Sequence, residues 1–300
     1  MRVLPRICFR PNQVSGICWF EMDRAVLKKI PLRASPFAGW QQHFRRAIFA
    51  LFLLQLVLVT VRLFQPQAIF GEARWPEAIL LLLATAAAIG SAVRQLPAQN
   101  VMLASVIMAF VGSAAHILGA LTGIPFGPYV YTNEIGPQLF SPLPWVIPIL
   151  WILVVFTSRG VGRLILRPWR KTRNYGFWLM GITAALVVLF DFGLEPFATQ
   201  IKHYWLWHPT HAFIYWYSAP WVNFVGWAAT TLVILAFATP SLINKKPVKQ
   251  PPDYSPLAIW LLLNGFLIAG AIAHQLWLAV AVVAVASVTT SVFAIKGARW

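Results

Sequence analysis

The chain has 300 residues, of which 59% are hydrophobic and 11% charged, with a formal net charge of +16. Soluble domains carry about a quarter charged residues, so this composition does not suit one. The apolar runs are continuous, where a transmembrane barrel would show short alternating segments. The class left is an all-α polytopic transmembrane helical bundle. Its positive charge belongs to loops on one side of a membrane and not to a nucleic-acid interface.

Residues 1–46 are expected to form a basic cytoplasmic N-terminal tail, lying along anionic lipid. No apolar stretch in them is long enough for a signal peptide. Cys8 and Cys18 suit neither a disulfide in a reducing compartment nor a zinc site. Eight apolar segments follow: Ala47–Phe64, Ala78–Val93, Val101–Leu121, Leu143–Thr157, Gly176–Leu194, Pro220–Thr239, Pro256–Ile272 and Leu276–Ile295. Each approaches the ~20 residues that cross a bilayer. Together they make residues 47–296 a transmembrane domain, with 297–300 as a short tail. Ala273, His274 and Gln275 alone separate the last two segments, as in a tight hairpin or one long broken helix. If that hairpin does not cross, seven or six spans remain.

The charges test this count. Of the 24 Lys and Arg, all but Arg62, Arg74 and Lys202 fall on one side. The asymmetry predicts about eight spans, both termini in the cytoplasm and a multi-pass protein of the cell membrane. On the far side gather Glu134, Asp191, Glu195 and the aromatic stretch "YWLWHPTHAFIYWYSAPW".

"DFGLEP" places Asp191 and Glu195 four apart, on one helix face. In a low-dielectric setting two such carboxyls cannot both ionise cheaply, so one keeps its proton and becomes a donor. Pro196 is expected to stop the helix there. The loop 122–142, "TGIPFGPYVYTNEIGPQLFSP", is too rich in Gly and Pro for a regular helix and too apolar to float in water. A re-entrant or lid-like loop fits it. Within it Tyr129 and Tyr131 alternate, so an extended chain points both the same way, and Asn133 and Glu134 follow. Gly119, Gly123 and Gly127, four apart, are read as a close-packing helix surface.

"APWVNFVGW" opens the sixth segment. Its Asn223, one turn before Trp227, either holds water or bonds a neighbouring helix. Trp205, Trp207, Tyr215 and Trp216 are read as belt residues at the membrane interface. His116 is read as a packing or paired residue. The spacing of His203, His208 and His211 fits no zinc template, and no metal is expected. Phosphate-loop, dinucleotide and nucleophile-elbow motifs are missing from the sequence, and no cofactor is expected.

Acids, π faces and an amide suit one cofactor-free reaction. An acid protonates an alkene, aromatic faces and a carboxylate stabilise the tertiary cation, and water attacks it. Asp191, Glu195 and Glu134 are the candidate catalytic groups. Tyr129, Tyr131, Asn133, Asn223 and Trp227 are candidates for the substrate pocket. The alternative is a membrane transporter or another isoprenoid-modifying membrane protein. Transporters more often carry internal repeats and midplane acids, and neither is visible here.

These same stretches carry a resemblance. "TGIPFGPYVYTNEIGPQL" with "PLPWVIPILW", then "DFGLEPFA", then "YWYSAPWVNFVGW" resemble three ordered blocks of the membrane carotenoid biosynthesis family. That family includes carotenoid 1,2-hydratases and the bisanhydrobacterioruberin hydratase. The likeness covers roughly residues 100–240. His116 stands where the pattern has Glu, and "SAP" where it has glycine-valine-proline. The resemblance implies a hydro-lyase that adds water across the terminal C1–C2 double bond of an acyclic carotenoid end group. It also implies a lycopene-like or monocyclic substrate delivered through membrane lipid, with other carotenoid-pathway enzymes as partners.

Overall fold

The computed structural model describes residues 36–65, 76–209, 214–243 and 251–300. Residues 1–35 of the expected N-terminal tail, with Cys8 and Cys18, and also Arg74 and His211, lie outside the described residues, whereas residues 36–46, expected to belong to that tail, are helical. Residues Phe44–Trp300 form one compact unit. Among the described residues eight helices occur: α1 (Pro36–Phe64), α2 (Pro76–Ala92), α3 (Ala98–Thr122), α4 (Val146–Ile165), α5 (Tyr175–Pro196), α6 (Val222–Ala238), α7 (Ser255–Ala273) and α8 (Trp277–Ala298). Seven are long and apolar enough to cross a membrane, and α2, with 17 residues, is the shorter one. The chain is thus a multi-pass helical bundle. Helices suit such a sequence because each satisfies its own backbone polar groups where no water can.

Helix α4 is the central member and packs against α2, α3, α5, α7 and α8. Two-thirds of its membrane-length window is buried, at 67%. The sequence reading ended this span at Thr157, eight residues before its observed end at Ile165. Arg159 is the reason. Its guanidinium donates to the Leu242 carbonyl at 3.0 Å, so a long basic side chain reaches a partner from inside an apolar helix. Helices α7 and α8 are two helices joined at His274–Leu276. They form an antiparallel hairpin, since the Gly297 backbone meets that of Leu164 and Ile165 at one end of the bundle while the Ala279 amide bonds the Tyr217 hydroxyl at the other.

That second end of the bundle is capped. The segment after α3 runs through β1 (Tyr129–Tyr131), a 3-10 turn at Asn133–Ile135, β2 (Gln138–Phe140) and β3 (Leu143–Pro144). After α5 come β4 (Trp205–Trp207), β5 (Tyr215–Trp216) and β6 (Ala219–Pro220). Strands β1 and β4 pair antiparallel, with Tyr129 opposite Trp207 and Tyr131 opposite Trp205. Successive strand side chains point to opposite faces. The four aromatics therefore face the bundle, while Val130 and Leu206 stay exposed.

Of the three spaced glycines, Gly119 inside α3 is a close-packing position, while Gly123 and Gly127 flank the turn that follows the helix. Gly119 admits the Phe126 ring, which an added Cβ would meet at 2.8 Å. Gly123 ends α3 at φ 76°, in the left-handed region that favours glycine, and its N–H returns to the Gly119 carbonyl.

Pro196 does not stop the chain's winding. Residues Phe197–Ile201 continue as a π-helical turn. Proline has no N–H to give the carbonyl four residues back, which here is Phe192. The indole N–H of Trp216 takes that place at 3.0 Å.

Candidate active site

Asp191 and Glu195 lie on one face of α5, in its last two turns, and both are buried. Asn223, in the first turn of α6, faces them. Its amide nitrogen donates to Asp191 Oδ2 at 2.8 Å and to Glu195 Oε1 at 3.0 Å. Asn223 thus bonds the neighbouring helix, one of the two roles its sequence position allowed. The other Glu195 oxygen, Oε2, accepts the indole N–H of Trp205 at 3.2 Å and of Trp207 at 3.1 Å.

The pair is therefore unequal. Glu195 accepts three N–H donors, while Asp191 accepts one and its buried Oδ1 has no partner among the described residues. Hydrogen bonds from N–H groups favour a charged carboxylate. The arrangement fits a charge on Glu195 and leaves Asp191 Oδ1 as the oxygen not committed to a fixed donor.

Trp205 and Trp207 are thus not simple belt residues. Their polar edges turn inward because β4 pairs with β1 in a register that puts both indoles on the bundle side. The signal was in the sequence as two matching period-2 stretches, "YVY" and "WLW". Trp216 likewise serves the Phe192 carbonyl, whereas Tyr215 is exposed.

Beside the acids lies an aromatic cluster. Tyr129 and Tyr131 do point the same way, and both hydroxyls reach His116 Nδ1, at 3.0 and 2.7 Å. The Tyr129 hydroxyl also donates to the His116 carbonyl at 3.1 Å. Burial, above all, pushes both phenol groups above their ordinary range, so they remain neutral donors. The His116 ring stacks on Phe126 at 4.6 Å and packs edge-on to Trp227 at 6.0 Å. Trp227 in turn stacks on Trp151 at 4.6 Å. Trp227 is fully buried in this cluster, and His116 is paired with tyrosines as expected.

Asn133 and Glu134 are placed differently. Both are exposed, on the 3-10 turn after β1, and among the described residues no hydrogen bond joins either side chain to the acid pair. The third carboxylate of the sequence-level cluster therefore stands at the surface. The turn beginning at Asn133 breaks the alternation that keeps Tyr129 and Tyr131 inward. His203 and His208, considered in sequence as metal ligands, lie in the cap, where His203 Nδ1 bonds the Thr199 carbonyl at 2.8 Å.

Comparison with known proteins adds the following. A family model described as "Carotenoid biosynthesis protein" matches residues 77–290. The bisanhydrobacterioruberin hydratase of Haloarcula japonica is 26% identical over 136 residues, covering 45% of this chain and 44% of that protein. The match thus spans less than half the length of this curated relative. No solved structure matches the chain.

Proposed function

This chain belongs to the carotenoid biosynthesis protein family, and we propose that it is a hydratase acting on an acyclic carotenoid end group. The observation that carries this reading is the unequal buried acid pair. Asp191 holds the proton and delivers it to C2 of the terminal double bond. The π electrons form the new C–H bond and leave a tertiary cation at C1. The Glu195 carboxylate and the indole faces of Trp205 and Trp207 stabilise that cation. Water attacks C1 and gives its extra proton to Glu195. The proton then returns to Asp191, one helical turn away and bridged by Asn223. The sum is alkene plus water to tertiary alcohol, with both acids restored and no cofactor used.

The bundle's charge distribution supports an orientation. Arg94, Arg159, Arg163, Lys296 and Arg299 lie towards the end opposite the acid pair, and Lys202, at the acid end, is ion-paired to Glu77. On the positive-inside rule the acid end faces away from the cytoplasm. A long polyene in the bilayer then presents its terminus to the buried acids. The hydratase named above lends the reaction class its support.

Expression in a lycopene-producing host tests the reading. A more polar pigment, heavier by one water, is expected. An unchanged pigment profile with the protein present would contradict it and favour another isoprenoid substrate or transport. Oxygen derived from labelled dioxygen would demand an oxygenase instead.

A further inference from the structure

The end of the bundle opposite the acid pair holds buried charge that hydration does not use. Arg159 and Arg163 stand four apart on α4, so they share one helix face. Both are half-buried and line a recess between α2, α4 and α7. Its other walls are largely apolar, with Ala92, Leu96, Phe156 and Pro256 among them. Like charges one turn apart repel, and taking them out of water costs more unless a counter-charge meets them. Arg159 donates to the Leu242 carbonyl at 3.0 Å, a neutral partner. The Arg163 guanidinium has no hydrogen bond or ion pair among the described residues. Asp253 is the one acidic side chain at this end among the described residues, and it is already engaged by Arg94, Ser91 and Gln95. The recess therefore carries two guanidiniums and no carboxylate in contact with either.

We propose that this recess binds the phosphate group of a membrane phospholipid, held by Arg163 and by the remaining N–H groups of Arg159. A guanidinium presents paired N–H donors that match phosphate oxygens. The apolar walls suit the glycerol and acyl parts of an amphiphile, and a fully hydrated free ion gains nothing from them. Depth favours the same source. Arg159 lies six residues, about 9 Å, before the end of α4 at Ile165, where a long basic side chain reaches the head-group layer. Basic recesses between helices on the cytoplasmic side hold anionic head groups, and the positive-inside rule puts this end there. The lipid phosphate would supply the counter-charge that the chain does not, and tie α2 and α7 to α4.

Thermal unfolding of the full-length protein in a neutral detergent tests this, with three added probes. Phosphatidylglycerol should raise the melting temperature, since a ligand of the folded state stabilises it. Diacylglycerol, with the same chains and no phosphate, should not. Inorganic phosphate should need at least a hundredfold higher concentration for the same rise. Equal stabilisation by diacylglycerol removes the phosphate from the account, and equal stabilisation by inorganic phosphate removes the lipid; either overturns the proposal. Arg163→Gln should need about tenfold more phosphatidylglycerol, the loss of one charge-assisted contact. Arg170→Gln, exposed at the same end, changes the charge equally outside the recess and should respond as the wild type does. A wild-type response in Arg163→Gln, or an equal loss in Arg170→Gln, overturns the proposal. If Arg163→Gln does not fold, Ala92→Glu decides. A carboxylate supplied within the recess should abolish the phosphatidylglycerol response, and an unchanged response contradicts the site.

Discussion

The Asn223 amide on α6 reaches Asp191 on α5 at 2.8 Å, and its second N–H reaches Glu195. One neutral side chain therefore clamps two buried carboxyls. Asn223→Leu keeps the volume and removes both donors. Leaving buried acceptors without partners costs about 1–3 kcal/mol. We expect a lower melting temperature and at least a hundredfold loss of turnover, measured by thermal unfolding in detergent and by conversion of lycopene. Turnover within threefold of wild type would remove Asn223 from the site.

Trp216 compensates for Pro196. Trp216→Phe keeps the ring and deletes the N–H that the Phe192 carbonyl accepts. The expected loss is about 1 kcal/mol of stability, seen as a modest drop in melting temperature. Faster hydrogen exchange should appear in the turn at residues 197–201. No change in either would show that water serves the freed carbonyl as well.

Gly226 lets α6 meet the capping loop. A Cβ there would lie 2.6 Å from the Phe126 ring and 2.8 Å from the Pro125 carbonyl oxygen. Gly226→Ala must push the loop off, at a cost of about 1–3 kcal/mol for overpacking. Because Phe126 stacks on His116, the tyrosine pair should loosen too. Thermal unfolding measures the first effect and tyrosine-region difference absorbance the second.

At the opposite end Asp253 joins α2 to α7. Its carboxylate accepts the Ser255 amide at 3.0 Å and the Ser91 hydroxyl at 2.8 Å, and lies 3.6 Å from Arg94. Burial alone would raise this carboxyl, but those hydrogen bonds and the Arg94 charge outweigh it and hold it below its usual range. A folded value under the unfolded one gives stability that is complete above the unfolded value, about 3.9, and lost as pH falls through the folded value. Asp253→Asn trades hydrogen bonds to a charged acceptor for bonds to a neutral one and should cost about 1 kcal/mol near neutral pH. The gap between the two melting curves should close at acid pH, and a pH-independent gap would refute the assignment.

How much of this was written in the sequence depends on the kind of signal. The helices were legible because long apolar runs have one solution in a bilayer. The acid pair was legible from its four-residue spacing. The end of α4 was not, because Arg159 and Arg163 look like a loop until a long side chain finds a partner. The cap was not, because three-residue strands are set by pairing between segments 74 residues apart, Tyr131 with Trp205. Without that pairing, Trp205 and Trp207 look like interface anchors, and Glu134 looks as central as Glu195. The walls of the recess beside Arg159 and Arg163 come from α2, α4 and α7, and leave no local trace at all.

The acid assignment has its most direct test in single-turnover conversion of lycopene by the purified protein and its two amide variants. Asp191→Asn should bind the polyene with unchanged affinity and form product at least a thousandfold more slowly. Glu195→Gln should be slower by a smaller factor. Product formed by Asp191→Asn at the wild-type rate would contradict the account.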